Sequence, residues 1–541
     1  MPDTFNACHY LLDRHVEQGR GERTAVRSGG RSLSYAALRE LSAAVAGGLR
    51  ALDVRRGERV LFVSSDRPEL LAGLLGAWRC GAVAVPVSTM LTGPELATVV
   101  ADSGARVLVV SPEYATQVSQ AIASVPELAH VVGIDGARVA APSHVTVTDW
   151  DRFVSAGTWQ DGGTLPIAGT VPDSPALWLY TSGTTGRPKG AMHRHENIRA
   201  VCETYARSVL RITPDDVCFS VAKLFFAYGL GNSALFPLSV GATTVLEPRR
   251  PSPQVVTEVM AQERPTLFFA GPTFFAALLA GELPEDTFGP VRLCASAGEA
   301  LPAALYRRFT ERFGVEVLDG IGSTEALHIF LSNHAGAVRP GTSGTPVAGY
   351  DIELRDEQGR QVGVDEPGRL FVRGASLAEG YWCRTDASRA VFQGEWLWTG
   401  DTYTRSADGY FTCLGRSNDL LKAGGIWVSP AEVEERLLQH PSVGEVAVVG
   451  VPDSNELDKP VACVVAAPGA TVDAEELERW CREGLAAFKR PRAVVVLDEL
   501  PKTATGKVQR FRLRELAQAE APAAVLAVPV EPPVAPAMQA T

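Results

Sequence analysis

The sequence has no uninterrupted apolar stretch long enough to read as a membrane span. Its run from Leu70 to Val87 is broken by Arg79 and Pro86 and predicts a helix feeding a buried strand. Positive charge is also in short supply. Lys and Arg number 51 against 62 Asp and Glu, a net charge of −11, which disfavours long-range attraction to nucleic acid while leaving room for a local basic phosphate pocket. The nine cysteines, from Cys8 to Cys481, show no CxxC spacing, so neither a zinc site nor a redox pair is indicated. Their odd number argues against a disulfide framework and for reduced structural thiols. The opening MPDTFNACHYLLDRHVEQ lacks the basic segment, apolar core and small-residue cleavage site of a secretory signal, so a cytoplasmic protein is expected.

What is present is an ordinary globular balance, 46% hydrophobic and 21% charged, over 541 residues, which predicts at least two domains. Apolar β-branched runs such as ERVLFV (58–63), AVAVPV (82–87), RVLVV (106–110) and TTVLE (243–247) alternate with amphipathic stretches such as SYAALRELSAAVAGGLRAL. That alternation predicts an α/β fold with layered, largely parallel sheets. Between about 340 and 415 the texture changes to short strands with Gly, Pro and Asp turns (DIELRDEQGR, GRLFVRG, GEWLWTGD), a smaller β-rich subdomain. The predicted organisation is therefore a large domain over 1–417, a small α+β domain over 418–520, and a Pro- and Ala-rich tail over 521–541 expected to be disordered. Within the small domain SPAEVEERLLQH reads as a helix, with Ser429 as its cap and Glu432 three residues on.

The segment LWLYTSGTTGRPKGAM (177–192) is an apolar strand running into a loop of Gly, Ser and Thr and ending on Lys189. Glycines let backbone amides approach an anion, hydroxyls donate to phosphate oxygens, and the lysine adds charge. The loop differs from a Walker P-loop because Lys189 precedes Gly190 instead of following GxxxxG and preceding Ser or Thr. Taken alone, a Gly- and Ser-rich loop is more often a bland surface loop.

Four further segments follow in order: GIGSTEALHIF (320–330), WLWTGD (396–401), GRSNDLLKAGGIWVSPAEVE (415–434) and PKTATGKVQR (501–510). With the phosphate segment they resemble the signature of the adenylate-forming superfamily, which comprises acyl-CoA and aryl-CoA ligases, luciferases and the adenylation domains of peptide synthetases. The resemblance spans roughly residues 5–515. It implies an enzyme that uses ATP and Mg2+ to make an acyl-adenylate and then a thioester of coenzyme A, with a small domain that rotates between the two steps.

Carried onto this sequence, the resemblance implies that Thr181, Ser182, Gly183, Thr184, Thr185 and Gly186 cradle phosphate with Lys189. Thr324 and the metal ligand Glu325 follow, while Asp401 would hold the ribose hydroxyls and Arg416 reinforce the nucleotide grip. Lys507 would stabilise charge between carboxylate and α-phosphate, and Gly424 and Gly425 would line the pantetheine arm. Asn418 stands at the hinge where the family usually has Asp or Lys; Asn tolerates unusual backbone angles, so the rotation is still expected, while its rate and the thioester step are put in question.

The segments 223–246 and 320–333 look closest to the benzoate-CoA ligase branch. That likeness places Phe226, Ala227, Tyr228, Gly229, Gly322, His328 and Ile329 around a flat aromatic acid, with Lys422 reaching its carboxylate. Each of these residues alone could equally be core packing. FFAYG has no aspartate for an amino group, which disfavours an α-amino acid. Two alternatives stay open: the same activation with another second step, to a carrier protein or through condensation of another oxyanion with an amine, and a nucleotide-binding protein without catalysis. Ring substituents and oligomeric state are not legible in the sequence.

Overall fold

Two series of β/α repeats build most of the chain in the computed structural model, which describes residues 4–157, 165–182, 188–416, 421–423, 426–428, 430–452, 458–485, 489–502 and 508–520. A seven-stranded sheet has the order Thr146–Asp149, His130–Gly133, Val107–Val110, Arg59–Val63, Val83–Pro86, Pro175–Ser182, Pro188–Arg194. All neighbours pair in parallel except the last two, which form a hairpin. A nine-stranded sheet has a parallel centre running from Thr24–Ser28 through Thr243–Val245, Val217–Ser220, Leu267–Ala270 and Leu293–Ser296 to Val317–Gly322. Antiparallel strands finish both edges. The parallel-rich α/β fold expected from the alternation is the fold observed.

Local sequence explains the elements. Helix Tyr35–Ala51 starts where the Ser34 hydroxyl accepts the Ala37 amide at 3.1 Å. Its Gly47 and Gly48 permit close packing on helix Trp150–Ala156, since a Cβ at Gly48 would stand 2.7 Å from the Phe153 carbonyl oxygen. The apolar run at 70–87 becomes helix Pro68–Cys80, ended by Gly81 at φ +79°, and then buried strand Val83–Pro86. A cluster of Phe268, Phe275, Phe288, Phe309 and Phe313, with ring centroids 4.8–5.9 Å apart, packs under the nine-stranded sheet.

The short strands read between 340 and 415 form a five-stranded sheet: Tyr350–Arg355, Gly368–Gly374, Trp396–Arg405 and Phe392–Gln393 in order, with Phe411–Arg416 on Trp396–Arg405. By contact density the chain divides into two units. One comprises 1–301, 308–352 and 371–398; the other comprises 302–307, 353–370 and 399–541. In the second unit strand Val443–Pro452 pairs antiparallel with Asp458–Ala466, which pairs parallel with Ala493–Val496. Helices Pro430–Leu438, Ala474–Gly484 and Arg510–Glu520 accompany this sheet. Two apolar clusters contain its core, one around Val433, Leu437, Val448 and Leu477 and the other around Val449, Val461, Leu500 and Leu513. The expected cap Ser429 and the tail from 521 lie outside the described residues.

All nine cysteines are free thiols. Seven are buried, Cys413 is half-buried and Cys383 is exposed. Among the described residues no helix is long and apolar enough to cross a membrane.

Candidate active site

The phosphate segment is the tip of the antiparallel hairpin of the seven-stranded sheet. Thr181 pairs with Lys189 and Ser182 with Pro188, so the two strands bring the lysine back beside the start of the loop. The loop residues Gly183, Thr184, Thr185 and Gly186 lie outside the described residues. Below the tip, Tyr180 Oη donates to Asp102 Oδ2 at 2.8 Å, and the same carboxylate accepts Arg384 Nη2 through its other oxygen at 2.6 Å. Trp178 and Trp382 pack with centroids 4.8 Å apart, and Arg59 lies over both rings. The tip thus stands on a packed base.

The second segment runs from strand Val317–Gly322 through the turn containing Thr324 and Glu325 to strand Ile329–Ser332. The two strands pair antiparallel, with Gly322 opposite Ile329. A Cβ at Gly322 would stand 2.4 Å from the His328 carbonyl oxygen, so only glycine fits this crossing. Leu327 adopts φ +65°, a left-handed conformation that costs a branched residue about 1 kcal/mol and is held here by complete burial.

Two contacts fasten the turn, one to the hairpin and one to the segment beside it. His193 Nε2 donates to the Thr324 carbonyl at 2.8 Å, and the Ala378 amide donates to the Glu325 carbonyl at 2.7 Å. Burial pushes the His193 imidazole down to about 4, so it is neutral and its donating nitrogen carries the proton. Glu325 itself is half-buried, and its Oε1 accepts the Tyr381 hydroxyl at 2.6 Å.

An aromatic wall forms where the chain enters helix Ala227–Leu230, with Phe226 at the N-cap. Phe226, Ala227 and Tyr228 are all partly exposed there, and Phe226 packs on Phe225 at 4.4 Å. The Tyr228 hydroxyl donates to the Ala295 carbonyl at 2.9 Å. A Cβ on Gly229 would stand 2.1 Å from the Lys223 carbonyl oxygen, so this tight entry also requires glycine. His328 is 2% exposed and has Tyr228, Tyr205 and Phe236 around it, at centroid distances of 5.4, 5.2 and 4.5 Å. Its Nε2 donates to the Tyr228 carbonyl at 3.3 Å, and burial lowers its pKa to about 3. Ile329 is buried beside it in the chain. The wall is therefore neutral and ring-shaped, suited to a flat apolar group.

Asp66 supports the wall from another part of the chain. Its buried Oδ1 accepts the Leu224 amide at 3.0 Å, while Lys223 donates to the carbonyls of Glu247 and Arg249 at 2.6 and 2.9 Å. Neither Asp66 nor Tyr381 was singled out by the sequence reading. A carboxylate before a helix and a tyrosine in EGYW carry no chemical signature until the fold shows what they touch.

In the second unit Asp401 lies on strand Trp396–Arg405, opposite Arg416, and its amide donates to the Thr399 hydroxyl at 3.1 Å. Lys422 lies on strand Leu421–Ala423. Gly424, Gly425, Asn418 and Lys507 lie outside the described residues. The structure thus assembles the hairpin, the Glu325 turn and the aromatic wall within the first unit.

Residues 12–382 match the model of the AMP-binding enzyme family, and residues 432–507 match its C-terminal domain. The chain belongs to the AMP-binding enzymes. It is 41% identical to a 4-hydroxybenzoate–CoA/benzoate–CoA ligase of Rhodopseudomonas palustris, over 95% of this chain and 94% of that one. It is 42% identical to a benzoate–CoA ligase of Thauera aromatica, over 95% and 96%. Among solved structures, a benzoate CoA ligase from Burkholderia xenovorans superposes with a TM-score of 0.86 at 42% identity, covering 94% of this chain and 100% of that one.

AMP-binding enzymes that are CoA ligases work with ATP, Mg2+ and coenzyme A, and the donor set here suits the metal. Among the described residues no three or more His, Cys, Asp or Glu side chains gather into a metal cage. A hard cation that takes one carboxylate and completes its shell with phosphate oxygens and water needs no such cage. Glu325, half-exposed in the turn that His193 ties to the hairpin, is a carboxylate that could serve such a cation.

Proposed function

We propose that this AMP-binding enzyme activates a benzoate-like carboxylic acid in the first unit and transfers the aroyl group to coenzyme A. The enzyme is an acid–thiol ligase that forms AMP. The observation carrying the aryl assignment is the wall itself: a neutral, buried His328 packed by Tyr228, Tyr205 and Phe236, with the Phe226–Tyr228 entry in front. The partly exposed Phe226, Ala227 and Tyr228, backed by those buried rings, present an uncharged face with no aspartate in FFAYG, which supports an aromatic acid over an amino acid.

In this reading the acid's carboxylate oxygen bonds to the α-phosphorus of ATP, the α–β anhydride bond breaks, and pyrophosphate leaves. The thiol of coenzyme A then attacks the acyl carbon. The carbon–oxygen bond to AMP breaks and the thiol proton is released. Glu325 would hold Mg2+, which when bound would supply charge neutralisation for the polyphosphate. Lys189 with Thr181 to Gly186 would grip the phosphates, Asp401 and Arg416 the ribose, and Lys507 and Lys422 the reacting carboxylate. Gly424 and Gly425 would border the pantetheine arm after a rotation at Asn418. Free thiols throughout and a demand for ATP and coenzyme A support a cytoplasmic setting.

The test is pyrophosphate release with ATP and Mg2+ across benzoates, cinnamates, fatty acids and amino acids, with and without coenzyme A. Turnover of a benzoate to its CoA thioester is the expected result. Pyrophosphate release with no thioester would overturn the second step, and turnover confined to fatty or amino acids would overturn the aryl assignment.

A further inference from the structure

Tyr381 lies in a segment that the phosphate and metal motifs do not include. This segment runs beside the hairpin: Met192 donates its amide to the Gly380 carbonyl at 3.0 Å, Glu379 donates to Met192 at 2.9 Å, and Trp382 donates to Gly190 at 2.9 Å. Ala191 and Tyr381 form an antiparallel bridge. The segment is therefore locked to the strand that carries Lys189, and through the Ala378 amide it is also locked to the turn that carries Glu325.

The Tyr381 side chain occupies the space between those two charges. Its hydroxyl donates to Glu325 Oε1 at 2.6 Å, and the Lys189 ammonium stands over its ring, 5.4 Å from the centroid. The ring is 6% exposed and is held edge-on by Phe392 at 5.4 Å, while the backbone amide of Tyr381 donates to the Ser388 hydroxyl at 2.9 Å. The side chain is therefore fixed from three directions.

We propose that Tyr381 is a positioning residue that orients the Glu325 carboxylate toward the metal and the Lys189 ammonium toward the phosphates. Several properties of the phenol suit that task. A hydroxyl donating to a carboxylate makes a short, charge-assisted hydrogen bond that fixes the rotation of the group. Being neutral, it leaves the full negative charge of Glu325 available to a cation, which an arginine or lysine partner would offset. The ring face attracts the ammonium without forming an ion pair that phosphate would have to break. One side chain thereby sets the separation between a metal-binding oxygen and a phosphate-binding nitrogen. The inference rests on the reading of Glu325 as the carboxylate that meets Mg2+.

The experiment compares wild type, Tyr381→Phe, Tyr381→Leu and Glu325→Gln as full-length enzymes. Mn2+ binding in the presence of a non-hydrolysable ATP analogue is followed by electron paramagnetic resonance, alongside the Mg2+ and ATP dependence of pyrophosphate release. Tyr381→Phe keeps the ring and loses the hydroxyl, so metal affinity falls by about tenfold or more, the usual effect of losing a partner of a metal-binding group, while KM for the aryl acid is unchanged. Tyr381→Leu loses the ring as well and additionally raises KM for ATP. Wild-type metal binding in Tyr381→Phe overturns the proposal. So does a uniform loss of all constants together with a lowered melting temperature, which is the mark of a merely structural role. Glu325→Gln separates the two ideas: if it leaves metal binding intact, the reading of Glu325 fails; if it weakens metal binding and Tyr381→Phe does not, only the role of Tyr381 fails.

Discussion

Gly231 shows how closely the aryl wall is specified at single residues. A methyl group there would meet His328 Cδ2 at 2.3 Å and Phe236 Cζ at 3.0 Å, and both rings are buried. Gly231→Ala should therefore displace His328 and raise KM for the aryl acid by about tenfold or more, a loss of at least about 1.4 kcal/mol, while ATP binding measured by calorimetry stays intact. Asp66 gives a prediction in pH. Burial raises its pKa from 3.8 to about 6, against the attraction of Lys223, the charge that faces it. Below 3.8 the folded and unfolded chains both hold the proton; between 3.8 and 6 only the folded chain does, so stability from this group falls as pH rises and levels off above about 6. The fall is on the order of 3 kcal/mol, and Asp66→Asn, which keeps an oxygen for the Leu224 amide, should lack it. The check is melting temperature against pH for both proteins, in which the difference in favour of the variant grows between pH 4 and 6 and then stays flat. Of these residues only His328 was placed at the site from sequence; Gly231 lies within the segment 223–246, but nothing in that segment marks its packing role. Gly231 and Asp66 owe their importance to neighbours 97 and 158 positions away, which no local pattern encodes.

At the scale of elements, the regular repeats were the most legible part. Runs such as RVLVV and TTVLE became strands because β-branched residues buried on both faces fit a parallel sheet and little else. The helix read in SPAEVEERLLQH appears as Pro430–Leu438 with Val433 and Leu437 buried. What periodicity could not give was the bridge that the residues around Tyr381 make to the hairpin, since its pairing partners come from a distant segment. Nor could it give the wide π-helical turns at Cys202–Leu210 and Gly231–Leu235, where packing overrides the ordinary 3.6-residue repeat. Docking of the last helix in the second unit depends on Arg510, whose Nη1 donates to the Val448 carbonyl at 2.6 Å and meets Glu434 Oε1 at 2.8 Å. Removing that side chain with Arg510→Ala should cost about 1–3 kcal/mol locally. Amides of strand Val443–Pro452 should then exchange hydrogen about tenfold faster for each 1.4 kcal/mol lost, with strand Val317–Gly322 unaffected.

For the whole molecule, the two half-reactions give separable expectations. On the role proposed for Lys507, Lys507→Ala should lower aryl-acid-dependent exchange of pyrophosphate into ATP by about a hundredfold or more, while ATP still binds; retention of exchange would remove Lys507 from the adenylation step. The family and its chemistry were legible because five ordered segments carry them, whereas the support of the site is spread across the fold. The burial of the thiols has a final consequence for an enzyme that prepares a reactive mixed anhydride for attack by sulfur. Cys8, Cys80, Cys202, Cys218, Cys294, Cys463 and Cys481 are all pushed by burial above the ordinary thiol range, so they stay protonated. Cys294 lies one residue from the carbonyl that holds Tyr228, yet it cannot ionise to compete with coenzyme A. These seven thiols are thereby protected from acylation, and an alkylating reagent should mark Cys383 first, Cys413 more slowly, and the other seven only after unfolding.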